Sequence, residues 1–150
     1  MNDSGRLISK SAGDAAVDGL LSGLVAGAVM AMYLVTSVWL AGDSPLALLA
    51  RFDLSPNPNA LTGALVHVGV SGVYGVIFGM ITLKFWNRAR ARGWFWIAGI
   101  IFGLILFWLS QNVLLPNSKS ALATLPFWQF GLAHLVYGTV LGFWMGRESR

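Results

Sequence analysis

His67 and His134 are the only two histidines in the chain, and their surroundings repeat. The first reads His67-xxx-Ser71-xxx-Gly75-xxx-Gly79, the second His134-xxx-Gly138-xxx-Gly142-xxx-Gly146, at a constant offset of 67 residues. Two imidazoles set alike on two helices can do one of three things. They can ligate one haem iron axially, or give two ligands to a metal such as copper. They can hydrogen-bond a serine, a tyrosine or a carbonyl of the next helix. They can handle protons. A copper or zinc site wants a third and fourth ligand, and the chain has no cysteine and only scattered methionines, Met30, Met32 and Met80 among them. Haem b is therefore the leading cofactor for such a pair, since bis-histidine ligation asks for no further side chain. No P-loop, GxSxG, paired intramembrane carboxylates or zinc-protease motif is present, and an enzyme is not expected.

The composition says which solvent these histidines face. Of 150 residues, 56% are hydrophobic and 11% charged, with a mean hydropathy of +0.68. A soluble domain carries about 25% charged residues, so lipid is the expected solvent. Four apolar blocks run over about 15–41, 60–83, 94–115 and 126–146. Each is long enough to cross a bilayer, which takes ~20 helical residues. Residues 1–14 form a polar tail, 15–146 the membrane domain and 147–150 a second short tail. Asp14 is expected to cap the first span, Asn59 the second, and Pro126 to open the fourth. The segment Leu46–Leu54 reads as a short interfacial helix with Arg51 and Asp53 toward water.

Orientation follows from the cations. Arg6, Lys10, Lys84, Arg88, Arg90, Arg92, Arg147 and Arg150 fall on one side of the four spans, and only Arg51 and Lys119 on the other. The positive-inside rule then places both termini and the middle loop in the cytoplasm of a bacterial or archaeal cell. Lys84, Arg88, Arg90 and Arg92 set that topology and can meet lipid headgroups. The net charge of +4 does not gather on one face, so nucleic acid is not an expected partner.

Within the spans, Gly19, Gly23 and Gly27 in the first, and Gly99 and Gly103 in the third, match more loosely than the histidine-bearing pair. A spacing of four keeps small residues on one helix face, where they admit a neighbouring backbone. The expected fold is all-α: four transmembrane helices in an antiparallel bundle, built from two repeated helical hairpins. Its packing residues would be Gly19, Gly23, Gly27, Ser71, Gly75, Gly79, Gly99, Gly103, Gly138, Gly142 and Gly146.

Several stretches resemble a family of small four-helix membrane proteins of unknown function. They are Gly99-Ile-Ile-Phe-Gly-Leu-Ile-Leu-Phe-Trp ending at Leu115-Pro116, His134-Leu-Val-Tyr-Gly-Thr-Val-Leu-Gly, His67 with Gly75-Val-Ile-Phe-Gly79, and the opening Gly23-Leu-Val-Ala-Gly-Ala-Val-Met-Ala. The resemblance implies an accessory role beside haem-copper oxidases or other respiratory proteins. Three functions are thus expected in order: a non-catalytic subunit or assembly partner of a larger membrane complex; a haem b or copper protein through His67 and His134; and a small transporter or channel acting as a homo-oligomer.

Overall fold

A computed structural model describes residues 10–84, 94–117 and 121–148. Among them the chain is all-helical, without a strand. Helix α1 spans Ala12–Leu40, α2 Pro45–Ala50, α3 Ala60–Leu83, α4 Phe95–Leu109 and α5 Phe127–Glu148. A π-helical turn, Ser110–Leu114, continues α4, and a 3-10 turn, Ala121–Thr124, precedes α5. Three of these segments are long and apolar enough to cross a membrane: Ala12–Leu40, Ala60–Leu83 and Phe95–Leu114. Helix α5 is not among them, because it carries Gln129, His134, Tyr137 and Thr139.

The helix ends follow local chemistry. Helix α1 starts earlier than Asp14, and its cap is Ser11: the Ser11 Oγ accepts from the Asp14 N–H, while the Ser11 N–H donates back to the Asp14 carboxylate. Asp14 thus sits at the third helical position of a capping box rather than at the cap. Asp18, one turn further on, forms an ion pair with Lys10. Gly42 turns the chain after α1 with φ +87°, a left-handed conformation that a side chain would strain. Asn59 caps α3 by accepting from the Thr62 N–H at 2.9 Å.

The connection from α2 to α3 departs from expectation. The short helix is confined to Pro45–Ala50, and Asp53 is 7% exposed rather than turned to water. Its carboxylate accepts N–H bonds from Ser55 at 2.9 Å and Asn59 at 3.0 Å. Those two donors need a carboxylate more than a short interfacial helix needs a polar face. The Asn59 and Ser55 N–H groups hold the Asp53 carboxyl below the usual carboxylate range. A depressed folded pKa contributes stability above the unfolded value of about 3.9, lost as pH falls through the folded value. Acid unfolding of the wild type is therefore expected to begin below about pH 4. The Asp53→Asn variant should show a flatter acid limb and a lower plateau at neutral pH, read by circular dichroism against pH.

Two hairpins make up the body. Helix α1 packs along α3, α4 packs along α5, and α1 also lies against α5. The contact register within the two hairpins is the same. A Cβ added at Gly23 would meet the Ser71 carbonyl and lie 2.8 Å from the Gly75 Cα. One added at Gly99 would meet the Gly138 carbonyl and lie 2.7 Å from the Gly142 Cα. Ser71 and Gly138, like Gly75 and Gly142, are the pairs related by the 67-residue offset. Backbones this close gain dispersion contacts along their length, the main source of helix association in lipid.

Candidate functional site

Helices α3 and α4 are not among the closely packed pairs. Their backbones stay apart, and the Phe78 and Phe102 rings meet across the gap with centroids 5.2 Å apart. Beside this gap lies a cavity of about 320 Å³ lined by both histidines. Val66, Val70, Ser71 and Tyr74 line it from α3, Leu106 from α4, Ser110 and Leu114 from the π-helical turn, and Phe130 and Tyr137 from α5. Val66, Val70 and Leu114 are also exposed, so the mouth reaches the flank between α3 and α4, and Leu54 of the α2–α3 connection, 71% exposed, lines it as well.

Each histidine is held by an aromatic ring and a carbonyl. His67 lies 4.5 Å from the Phe52 ring, and its Nε2–H donates to the Gly27 carbonyl of α1 at 3.1 Å. His134 lies 4.5 Å from the Phe130 ring, and its Nδ1–H donates to the Phe130 carbonyl of its own helix at 2.9 Å. Each histidine is 8% exposed, and both line the cavity. A neutral imidazole has one N–H. Both N–H groups point at carbonyls, so the remaining acceptors are the His67 Nδ1 and the His134 Nε2. Neither has a protein partner among the described residues.

The serine and tyrosine beside the histidines bond backbone carbonyls rather than the imidazoles. Tyr137 donates its hydroxyl to the Ser71 carbonyl at 2.7 Å, tying α5 to α3. The Ser71 hydroxyl turns back to the His67 carbonyl at 2.7 Å. Gln129, 6% exposed, donates to the Ser37 Oγ at 2.5 Å and ties α5 to α1. These two inter-hairpin bonds, and Phe52 and Phe130 as the histidines' ring neighbours, were not read from the sequence. The one available signal for Gln129 was a lone amide in the first turns of an apolar block.

The structure brings His67 and His134 to one cavity and packs the small-residue positions inside the hairpins. Gly19, Gly23, Gly27, Ser71, Gly75 and Gly79 meet between α1 and α3; Gly99, Gly103, Gly138 and Gly142 meet between α4 and α5. A Cβ at Gly146 would only touch the Phe95 side chain, at 3.4 Å. Lys84 stands just after α3, while Arg88, Arg90 and Arg92 lie outside the described residues. Among the described residues no group of three or more His, Cys, Asp or Glu is placed to hold a metal ion.

The two histidines differ mechanically, and this sets a stability prediction. His67 joins two helices; His134 bonds only its own. His67→Ala should lower unfolding stability in detergent by about 1 kcal/mol through the lost interhelical bond. His134→Ala should change it by clearly less. Equal losses would mean that the Gly27 contact contributes nothing.

Fold and site together define an all-helical protein with helices fit to cross a membrane and a two-histidine cavity opening at its side. No protein-family model, no curated protein and no solved structure matches the chain.

Proposed function

We propose that the chain is a non-enzymatic binding protein of a bacterial or archaeal cytoplasmic membrane, with the cavity between its hairpins as the ligand site. The observation that carries the reading is the convergence of both histidines on one cavity of about 320 Å³. Small-molecule sites are concave, mostly apolar and ~300–1,000 Å³ in volume, with a few placed polar groups. A buried ionisable residue in a membrane span points to function first. Two of them at equivalent places on α3 and α5 strengthen that reading.

The membrane frame of the proposal has four spans and cytoplasmic termini. Helix α5 turns Gln129, His134 and Tyr137 inward and leaves Phe127, Trp128, Leu132 and Phe143 exposed, so its outer face suits lipid as well as those of α1, α3 and α4 do. Eight of ten cations lie on the side assigned to the cytoplasm. The shared contact register of the hairpins supports descent from one duplicated hairpin. An accessory-subunit role rests on the family resemblance alone. The small-residue ridges are spent inside the hairpins and offer no face for a partner helix.

The test is purification in mild detergent of the wild type beside His67→Ala/His134→Ala and the cavity-filling Val70→Trp. Visible spectra, metal analysis and mass spectrometry of an organic extract are recorded for each. A chromophore or small molecule bound in stoichiometric amount to the wild type and absent from both folded variants is expected. The same bound species in all three would remove the cavity as the site.

A further inference from the structure

The hydrogen bonds around the histidines narrow the chemistry of what the cavity takes. The deduction rests on the ligand-binding reading above. With the Nε2–H of His67 given to Gly27 and the Nδ1–H of His134 given to Phe130, each ring offers an occupant a lone pair and no proton. An iron porphyrin would use both lone pairs. Its two propionates would then want cations, and no Lys or Arg is among the lining residues described. A bare metal ion would find two protein ligands where three or four are wanted. What matches two neutral acceptors in an apolar wall is an uncharged molecule that brings its own donors.

The mouth says where it comes from. Exposed Val66, Val70 and Leu114 frame the side of the opening on the apolar flank of α3 and α4, and exposed Leu54 borders it from the α2–α3 connection. A molecule entering there travels in the hydrocarbon layer, so it has an apolar body and a small polar head.

We propose that the cavity binds, from within the bilayer, a lipid-soluble molecule whose head carries two hydroxyl groups, one donating to His67 Nδ1 and the other to His134 Nε2. A hydroquinone bearing an alkyl tail and a monoacylglycerol share this chemistry. Both put two hydroxyls on an apolar frame. A site built to accept from hydroxyls rejects an analogue that lacks them far more strongly than an apolar pocket rejects a change of shape.

The experiment titrates the full chain in nanodiscs with two matched pairs, following tryptophan fluorescence. One pair is an alkyl hydroquinone and its oxidised quinone; the other is monooctanoylglycerol and its diacetate. The member with hydroxyls is expected to bind at least tenfold more tightly than its partner. The pair that shows this preference identifies the source. In His134→Ala, which leaves the α1–α3 contact of His67 intact, the preference should shrink toward unity. Val70→Trp should abolish binding of every probe. Equal or tighter binding of the quinone and the diacetate, still lost in Val70→Trp, would overturn the two-acceptor assignment and leave the cavity as a binding site. Probe binding that Val70→Trp does not affect would overturn both, as would a failure of all four probes to bind.

Discussion

Gly75→Val is expected to break the first hairpin. A Cβ at Gly75 would collide with the Gly19 carbonyl and lie 2.7 Å from the Gly23 Cα and 2.9 Å from its nitrogen. All three neighbours are backbone atoms in the middle of α1, so no rotamer change relieves the clash. The helices must separate, and the dispersion contacts along the interface are lost with them. Overpacking a core costs ~1–3 kcal/mol when side chains can move. Here they cannot, and the cost should exceed about 3 kcal/mol. Two other glycines of the same helix provide the scale. A Cβ at Gly72 would meet the far end of Leu20 at 2.9 Å, which can swing aside, so Gly72→Ala should cost about 1 kcal/mol or less. Gly69 has nothing within 4 Å, and Gly69→Ala should be neutral or stabilise by up to ~1 kcal/mol through helix propensity. Unfolding in detergent mixtures ranks the three. Similar losses for Gly69→Ala and Gly75→Val would mean that the α1–α3 interface is not as close as the structure has it.

This gradient separates what the sequence made legible from what it did not. Gly75 and Gly69 are both glycines in an apolar helix. Only the four-residue spacing through Ser71, Gly75 and Gly79 marks the first as a contact, and spacing is visible in a sequence. The helices were legible for the same reason, since apolar length and Ser, Asn or Pro punctuation are local. The partner of each ridge came from the expected hairpins, that is from chain order, and not from the ridge itself. Spacing says that a backbone comes close, not which one, and the choice of α1 for α3 and of α4 for α5 is made by chain connectivity and packing in three dimensions. The candidate site shows the same division. Two histidines at a 67-residue offset, set alike on two helices, were evident. The carbonyls of Gly27 and Phe130 that fix their free nitrogens carry no sequence signal, because every residue has a carbonyl. The cavity is a space left among α1, α3, α4, α5 and their connections, and a space between elements leaves no pattern in any one of them.

The capping of α1 and the burial of Asp53 were misread for a related reason. In both places a short polar side chain had two local uses, and the sequence does not rank them. Asp14 can cap a helix or complete a box begun by Ser11; the serine, one position before Ala12, wins because its hydroxyl reaches the Asp14 N–H. Asp53 can face water or gather the N–H groups of the turn that follows. Pro56 and Pro58 bring no N–H of their own, so Ser55 and Asn59 carry the turn's donors to the carboxylate.

Val73→Asp is expected to keep the chain out of the membrane, and it tests the solvent on which every functional reading depends. Val73 sits midway along α3 and is 59% exposed, on a flank shared with Leu65, Val70 and Ile77. On a soluble protein, a charge at such a position is among the mildest changes available, within about 0.5 kcal/mol. At the centre of a membrane span the same aspartate costs ~2.5–3.5 kcal/mol of insertion free energy, about two orders of magnitude in the insertion equilibrium. Leu61→Asp is the control. Leu61 is 72% exposed on the same helix but lies in its first turn, where a carboxylate reaches the headgroup layer and the positive end of the helix dipole. Carbonate extraction of expressed membranes should therefore recover Leu61→Asp in the membrane fraction like the wild type, and Val73→Asp at a small fraction of that level. A Val73→Asp protein recovered from the membrane in wild-type amount would place this flank of α3 against protein or water. The lateral mouth would then open onto something other than lipid, and the hydroxylated ligand would have to arrive by another route.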